Sequence, residues 1–188
     1  MQKQLAAIAD SLESAQSRLR SLGDGISEQT WNRHPEANRW SAADCVEHLN
    51  LTSRAYVPLI RNASAEARQL RTPVDHYRMD ALGWFFSMMV GPMRHLGKIK
   101  LVKVKTTTPF VPKGGQSRDA LLSEFLRLQS DMITLVRTAD ELPLDRVKIV
   151  SPFGGRVKYS AYSGLVIVAR HQHRHIDQAE EAAGVAAR

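Results

Sequence analysis

Ser41-Ala42-Ala43-Asp44-Cys45-Val46-Glu47-His48-Leu49-Asn50 carries the strongest helix start in the chain. A hydroxyl at Ser41 and a carboxylate three residues on, at Asp44, fit a capping box, in which the two residues satisfy each other's free backbone N–H groups. Behind it Val46, His48, Leu49, Thr52, Tyr56, Leu59 and Ile60 continue the helix to about Leu70. Pro58 lies inside this run and removes one backbone donor, which predicts a kink. Upstream, Leu5, Ile8, Leu12, Ala15, Leu19 and Leu22 recur at helical spacing and predict a helix over about residues 2–22, with Gly23-Asp24-Gly25 as its stop. Ser27 caps a short helical turn that Pro35 closes. Downstream, Ser117 caps a third long helix through Leu121, Leu122, Phe125, Leu128, Met132, Leu135 and Val136, ending near Asp140. A last helix runs from about Ser160 to Ala183, before Gly184. Four long helices with no convincing sheet predict an all-α four-helix bundle.

The remainder is irregular. Tyr77 to Val90 reads as a short helix ended by Gly91-Pro92. Lys98 to Lys105 alternates partly between basic and aliphatic residues, as an extended segment does, and Thr106 to Gly115 reads as loop. Residues 72–116 thus form a partly extended insertion, and connections this long are often functional. Arg146 to Lys158, with the turn Pro152-Phe153-Gly154-Gly155, predicts an extended link. At 188 residues and 43% hydrophobic, the chain is expected to form one domain, 1–188.

Composition narrows the function. One cysteine, Cys45, rules out a disulfide framework, a Cys-based zinc finger and an iron–sulfur cluster. Lys+Arg 26 against Asp+Glu 19 leaves a net charge of +7. That charge would suit nucleic acid or acidic small molecules. Lys98, Lys100, Lys103, Lys105 and Lys113 lie near Phe110 but form no known nucleic-acid-reading motif. A solvated edge is the simpler account, so nucleic acid is not the expected partner. Ala81 to Met93 is too short and too interrupted to span a bilayer, and Met1 to Leu5 lacks a signal-peptide core. The expected location is cytoplasmic, without a membrane.

Three of the seven histidines fall in His171-Gln172-His173-Arg174-His175. On a helix, His171 and His175 lie ~40° apart and His173 is turned ~200° away. The face bearing the first two also carries Gly164, Ile167, Val168, Gln178 and Ala182, an apolar side suited to a bundle core. His48 likewise shares its face with Asp44, Cys45, Thr52, Ala55 and Leu59. A solvated His/Arg/Glu patch, or a hydrogen-bonded packing histidine, would account for each alone. Together, one histidine on the second long helix and two on the last converge on a metal if those helices are neighbours. Cys45, one turn before His48, reads as a buried packing residue or as an additional ligand. His34, His76, His95 and His173 have no partner evident from spacing.

Asn38-Arg39-Trp40-Ser41 followed by Cys45-Val46-Glu47-His48-Leu49-Asn50 resembles the "WS…HL" segment of the DinB-like (YfiT-like) superfamily of bacterial proteins. Trp31-Asn32-Arg33-His34-Pro35 resembles the segment that precedes it there. Ser151-Pro152-Phe153-Gly154 through His171 to Gln178 resembles the family's last helix with its H-x-x-x-H-x-x-Q ending. Residues 72–116 have no such counterpart. The resemblance implies an up-down-down-up bundle, a divalent metal (zinc or nickel) on His48, His171 and His175, and a homodimer. Relatives of this kind include bacillithiol-dependent S-transferases, a mycothiol-dependent isomerase and metal-dependent hydrolases.

Three protein ligands leave a position open, as in catalytic rather than structural zinc sites. Gln172 stands where the H-E-x-x-H proteases carry their base, and Glu47 and Asp177 point off the ligand faces, which weakens hydrolysis. Gln178, on the ligand face, reads equally as an amide that orients a bound molecule or as an ordinary buried one. The expected activity is a metal-dependent S-transferase using a low-molecular-weight thiol on a small electrophile. A non-catalytic metal-binding stress protein and a metal-dependent hydrolase are the alternatives.

Overall fold

A computed structural model describes residues 1–92, 106–154 and 156–185. Its helices are α1 (Lys3–Gly25), α2 (Glu28–Asn32), α3 (Ala42–Gln69), α4 (Ala81–Val90), α5 (Arg118–Arg137) and α6 (Ala161–Ala183). A 3-10 turn spans Thr108–Phe110, and a hairpin pairs β1 (Lys148–Val150) with β2 (Lys158–Ser160). The extended reading of Lys98 to Lys105 lies outside the described residues.

The local signals of the sequence explain most boundaries. Ser41 and Asp44 close the capping box on α3, and Ser27, Asp80, Ser117 and Ser160 cap the N-termini of α2, α4, α5 and α6. Gly184 terminates α6 in the left-handed conformation, φ 73°. Such a φ suits glycine, which has no Cβ to clash.

Three readings are corrected, and the extended link before α6 is borne out as two paired strands. Helix α1 does not stop at Gly23-Asp24-Gly25 but continues through all three. Gly23 lies against Leu122, where a Cβ would meet Cδ1 at 2.5 Å. It is a close-packing residue between helices rather than a terminator. Helix α4 begins at Ala81 instead of Tyr77, because Asp80 caps it and Tyr77 is buried outside the helix. Helix α5 ends at Arg137, short of Asp140. The link before α6 is an antiparallel hairpin, with Lys148 opposite Ser160 and Ile149 opposite Tyr159. At Pro58 the helix assignment runs through unbroken. Pro58 is exposed, so water can satisfy the carbonyl that loses its donor.

The four long helices form a ring in the order α1–α5–α3–α6. Cross-contacts give their directions. Gln2 bonds Asp140 while Gly23 meets Leu122, so α1 and α5 are antiparallel. Gln4 lies by Tyr162 and Arg18 by Glu180, so α1 and α6 are parallel. Asn50 bonds Leu121 and Arg54 bonds Glu124, so α3 and α5 are parallel. His48 meets His171 while Ile60 meets Gly164, so α3 and α6 are antiparallel. In chain order this is up-down-down-up.

Apolar stripes fill the interior with two clusters, one around Leu12, Tyr56, Ile60 and Met132, the other around Leu19, Trp31, Leu49 and Phe125. Each such side chain contributes about 1.5–3 kcal/mol when removed from water. Among the described residues, no helix is long and apolar enough to cross a membrane.

Helix α4 packs along the outside of α6 and builds one wall of the site. Asp80 anchors it. Its Oδ1 accepts from the Gly83 N–H at 2.7 Å, and its Oδ2 accepts from Ser160 N–H at 2.6 Å and Lys148 Nζ at 2.5 Å. Burial works against this carboxylate, but Lys148 and the two backbone donors hold it below the usual range. Its contribution to stability is therefore present above the unfolded value, about 3.9, and is lost as pH falls through the lower folded value. Asp80→Asn is expected to cost about 1–2 kcal/mol at pH 7, and progressively less as pH falls through the lowered folded value and the native carboxylate is itself protonated. Urea melts across a series of falling pH values measure this; a difference that stays constant throughout would show that charge is irrelevant.

Candidate metal centre

His48 lies in the second turn of α3, where the apolar stripe turns it inward. The ring is 3% exposed, and its Nδ1 donates to the Phe110 carbonyl at 2.7 Å. That acceptor requires the proton on Nδ1, leaving the Nε2 lone pair free. Nε2 sits 3.3 Å from Nε2 of His171. His171 and His175, one turn apart on α6, are each 8% exposed. One nitrogen from each of the three rings lies within 4.8 Å of the others.

Four features of this cluster suit a divalent metal. Two nitrogens bound at ~2.05 Å to one tetrahedral ion stand ~3.3 Å apart, the separation seen between His48 and His171. The His175 Nδ1 is buried with no hydrogen-bond partner among the described residues, an unsatisfied lone pair or N–H that a buried ring ordinarily does not tolerate. Burial lowers all three basicities. His171 and His175 fall well below the usual histidine value, helped by the neighbouring imidazoles and Arg174, with a small opposing effect of Gln178 on His175. The rings are therefore neutral, the form that donates to a metal. Imidazole donors suit zinc, nickel and copper better than calcium or magnesium.

Aromatic rings enclose the cluster. Trp40 stacks on His175, with ring centroids 5.6 Å apart, and lies 5.0 Å from His48. Phe153 stands 5.7 Å from His171 and 4.9 Å from Phe110. On one side the three histidines open into a cavity of about 220 Å³. Its walls include Phe86, Met89 and Val90 of α4, Thr106, Thr107, Phe153 and Ile167. Arg174 and the buried pair Tyr56 and Tyr159, whose hydroxyls are 2.5 Å apart, complete them. Burial pushes both phenols above their ordinary value, so they remain O–H donors.

Other candidates fall outside this cluster. Cys45 is wholly buried among Leu49, Leu121 and other apolar residues, and burial raises its thiol far above the ordinary range. It is the packing residue, not an added ligand. His173 faces α1, its Nε2 3.0 Å from the Ser11 carbonyl and its Nδ1 3.1 Å from Arg18. Arg18 also bridges Asp177 and Glu180. Gln172 exchanges two amide hydrogen bonds with Gln129 in the core, each 2.8 Å. His34 is largely exposed and receives a contact from Asp44 at 3.5 Å; His76 is exposed. His95 lies outside the described residues, as do Lys98, Lys100, Lys103 and Lys105; Lys113 is exposed.

Sequence reasoning missed what orients His48. The Glu47 carboxylate is buried and accepts from the backbone N–H groups of Lys113 and Gly114, at 3.1 and 2.9 Å. It thereby ties down the chain carrying the Phe110 carbonyl. No local pattern announces this, because donors and acceptor are 66 and 67 residues apart. Glu47→Ala is expected to weaken metal binding about tenfold, the lower end of effects from groups that orient metal-bound histidines, with helix content unchanged. Zinc titration against a competing chelator measures it; an affinity equal to the native protein's would remove Glu47 from the site's support.

Searches of curated proteins and of solved structures found no match. A family model described as the DinB superfamily matches residues 11–179, a span that includes all three clustered histidines, the whole of α3 and α5 and most of α1 and α6. The chain belongs to the DinB superfamily.

Proposed function

We propose that this protein is a divalent-metal-dependent enzyme that transfers a low-molecular-weight thiol onto a small electrophile. One observation carries the reading: three buried imidazoles meet at the wall of a cavity with no carboxylate among its described lining residues. An ion held by three imidazoles keeps a position for an outside ligand and stabilises a thiol as its thiolate near neutral pH. The chain's own part is placement. The Phe110 carbonyl sets the His48 tautomer, Trp40 and Phe153 limit water around the rings, and the Tyr56–Tyr159 pair, one hydroxyl donating to the other, offers one remaining O–H donor to charge developing on the electrophile. In the reaction the thiol proton leaves to solvent, sulfur bonds to the electrophilic carbon, and the leaving group departs with its electron pair.

The cavity wall favours this over hydrolysis. Water attack needs a base, yet Glu47 is spent on the 113–114 backbone and Asp177 on Arg18, and Gln172 is an amide paired with Gln129. Zinc- or nickel-loaded protein mixed with small cellular thiols and an activated aryl halide is expected to form the thioether faster than the His171→Ala variant by about 100-fold or more. Equal rates with every thiol would overturn the transferase reading. A cobalt-loaded protein whose visible spectrum ignores added thiol would favour a non-catalytic metal-binding protein.

A further inference from the structure

Among the described residues, Arg174 is the one arginine or lysine in the cavity wall, next to His175 and one turn from His171. It is half-buried, and its Nη1 donates to the Met89 carbonyl at 2.8 Å. Among the described residues it makes no ion pair, whereas Arg18, Arg39, Arg54, Arg118, Arg127 and Arg137 all do. No described residue lining the cavity is acidic, and the sequence of residues 93–105 contains no aspartate or glutamate. A half-buried guanidinium has five donors and a fixed fork. One carbonyl leaves most of that capacity to another acceptor, and with no protein carboxylate at hand the complement is a ligand anion.

The size and lining of the space restrict that ligand further. A cavity of ~150 Å³ takes up benzene, so about 220 Å³ holds roughly nine non-hydrogen atoms. That is an aromatic ring with one small substituent, and the walls contributed by Phe86, Met89, Phe153 and Ile167 suit such a body. A thiol cofactor of peptide or sugar type would bring only its sulfur end to the histidines, its body extending out of the cavity mouth.

We propose that Arg174 is a specificity-determining residue that binds the carboxylate of a small, apolar-bodied acid, the electrophilic substrate, inside this cavity. The inference rests on the cavity being the reaction site proposed above. It is testable without activity and without metal, so the two readings can fail separately. Arg170 donates to the Ser87 carbonyl at 2.9 Å much as Arg174 does to Met89. Fastening the end of α4 is therefore the competing, purely structural role for Arg174.

Benzoate and its neutral counterpart benzamide distinguish the two. Binding of each to the full-length, metal-free protein is measured by calorimetry for the native chain, Arg174→Gln and Arg174→Lys. Benzoate is expected to bind the native chain and to lose at least about tenfold in Arg174→Gln, the scale of one charge-assisted hydrogen bond. Arg174→Lys should recover part of this, benzamide should be indifferent, and zinc uptake should be unchanged in all three. Equal losses for both ligands, or no benzoate binding to the native chain, would overturn the proposal in favour of the structural role. Should Arg174→Gln fail to fold, the Arg174 Nε–H resonance of the native protein decides: it must shift with benzoate and not with benzamide. Arg174-dependent benzoate binding without thioether formation would keep Arg174 as the carboxylate-binding residue of this cavity, while the transferase reading, and with it the acid's role as electrophile, falls.

Discussion

His48→Ala, His171→Ala and His175→Ala each abolish stoichiometric uptake of zinc or nickel. The native chain is expected to take up about one ion, and each variant to bind it more than about 100-fold more weakly, because removing a donor exceeds the 10–100-fold effect of removing a group that only orients one. Stability reports the same event. Metal at 100 times its dissociation constant adds about 2.7 kcal/mol to a protein that binds it only when folded. For a chain of this size that is a rise in Tm of about 5–10 °C. The native protein should show the rise and the three variants should not. His173→Ala is the control. It breaks the contacts with Ser11 and Arg18 on the far side of α6 but leaves the three clustered rings in place, so it should lose stability yet keep the metal. Elemental analysis after chelator-free purification, with melting curves, gives the answer. Unchanged metal content in any of the three alanine variants would remove that histidine from the site.

Gly83→Ala is expected to destabilise the protein by about 1–3 kcal/mol, the scale of an overpacked interior. A Cβ at Gly83 would stand 2.2 Å from the Ser163 Cβ and 2.6 Å from Asp80 Oδ1. The Ser163 Cβ cannot rotate away, since the α6 backbone fixes it, so α4 must move off α6. Against this stands the helix preference for alanine over glycine, up to about 1 kcal/mol in a helix interior. The overlap is too deep for that gain to prevail. Gly25→Ala isolates the propensity effect, because a Cβ there meets nothing within 4 Å. It should be neutral or slightly stabilising while Gly83→Ala lowers Tm by several degrees. The consequence reaches the site, since Phe86, Met89 and Val90 on the same helix wall the cavity. Benzamide binding should weaken in Gly83→Ala with metal uptake unchanged. A Tm equal to the native value would mean that α4 and α6 are not packed this closely.

Both predictions sit where reading the chain gave different returns. The histidines were legible because their signal is local: a spacing of four residues places His171 and His175 on one face, and the apolar neighbours of His48 turn it inward. The four-helix plan was legible for the same reason, through stripes at Leu5 to Leu22 and Leu121 to Val136 and the serine caps. Gly83 was not. A glycine required by a helix 80 residues away looks like any other glycine inside a short apolar run, just as Gly23, required by Leu122, passed for a helix stop.

The sequence by itself determined where helices form, which faces are apolar and which three histidines face inward, since these depend on neighbours within a turn or two. Only the tertiary structure decided that α3 and α6 run antiparallel side by side and so bring His48 to His171 and His175. It alone decided that a carbonyl 62 residues from His48 selects its tautomer. The unpaired Arg174 emerged in the same way, because the absence of a carboxylate around it is a property of everything that packs there. Such pairings arise from long-range packing and the loops that permit it, and no local period encodes them.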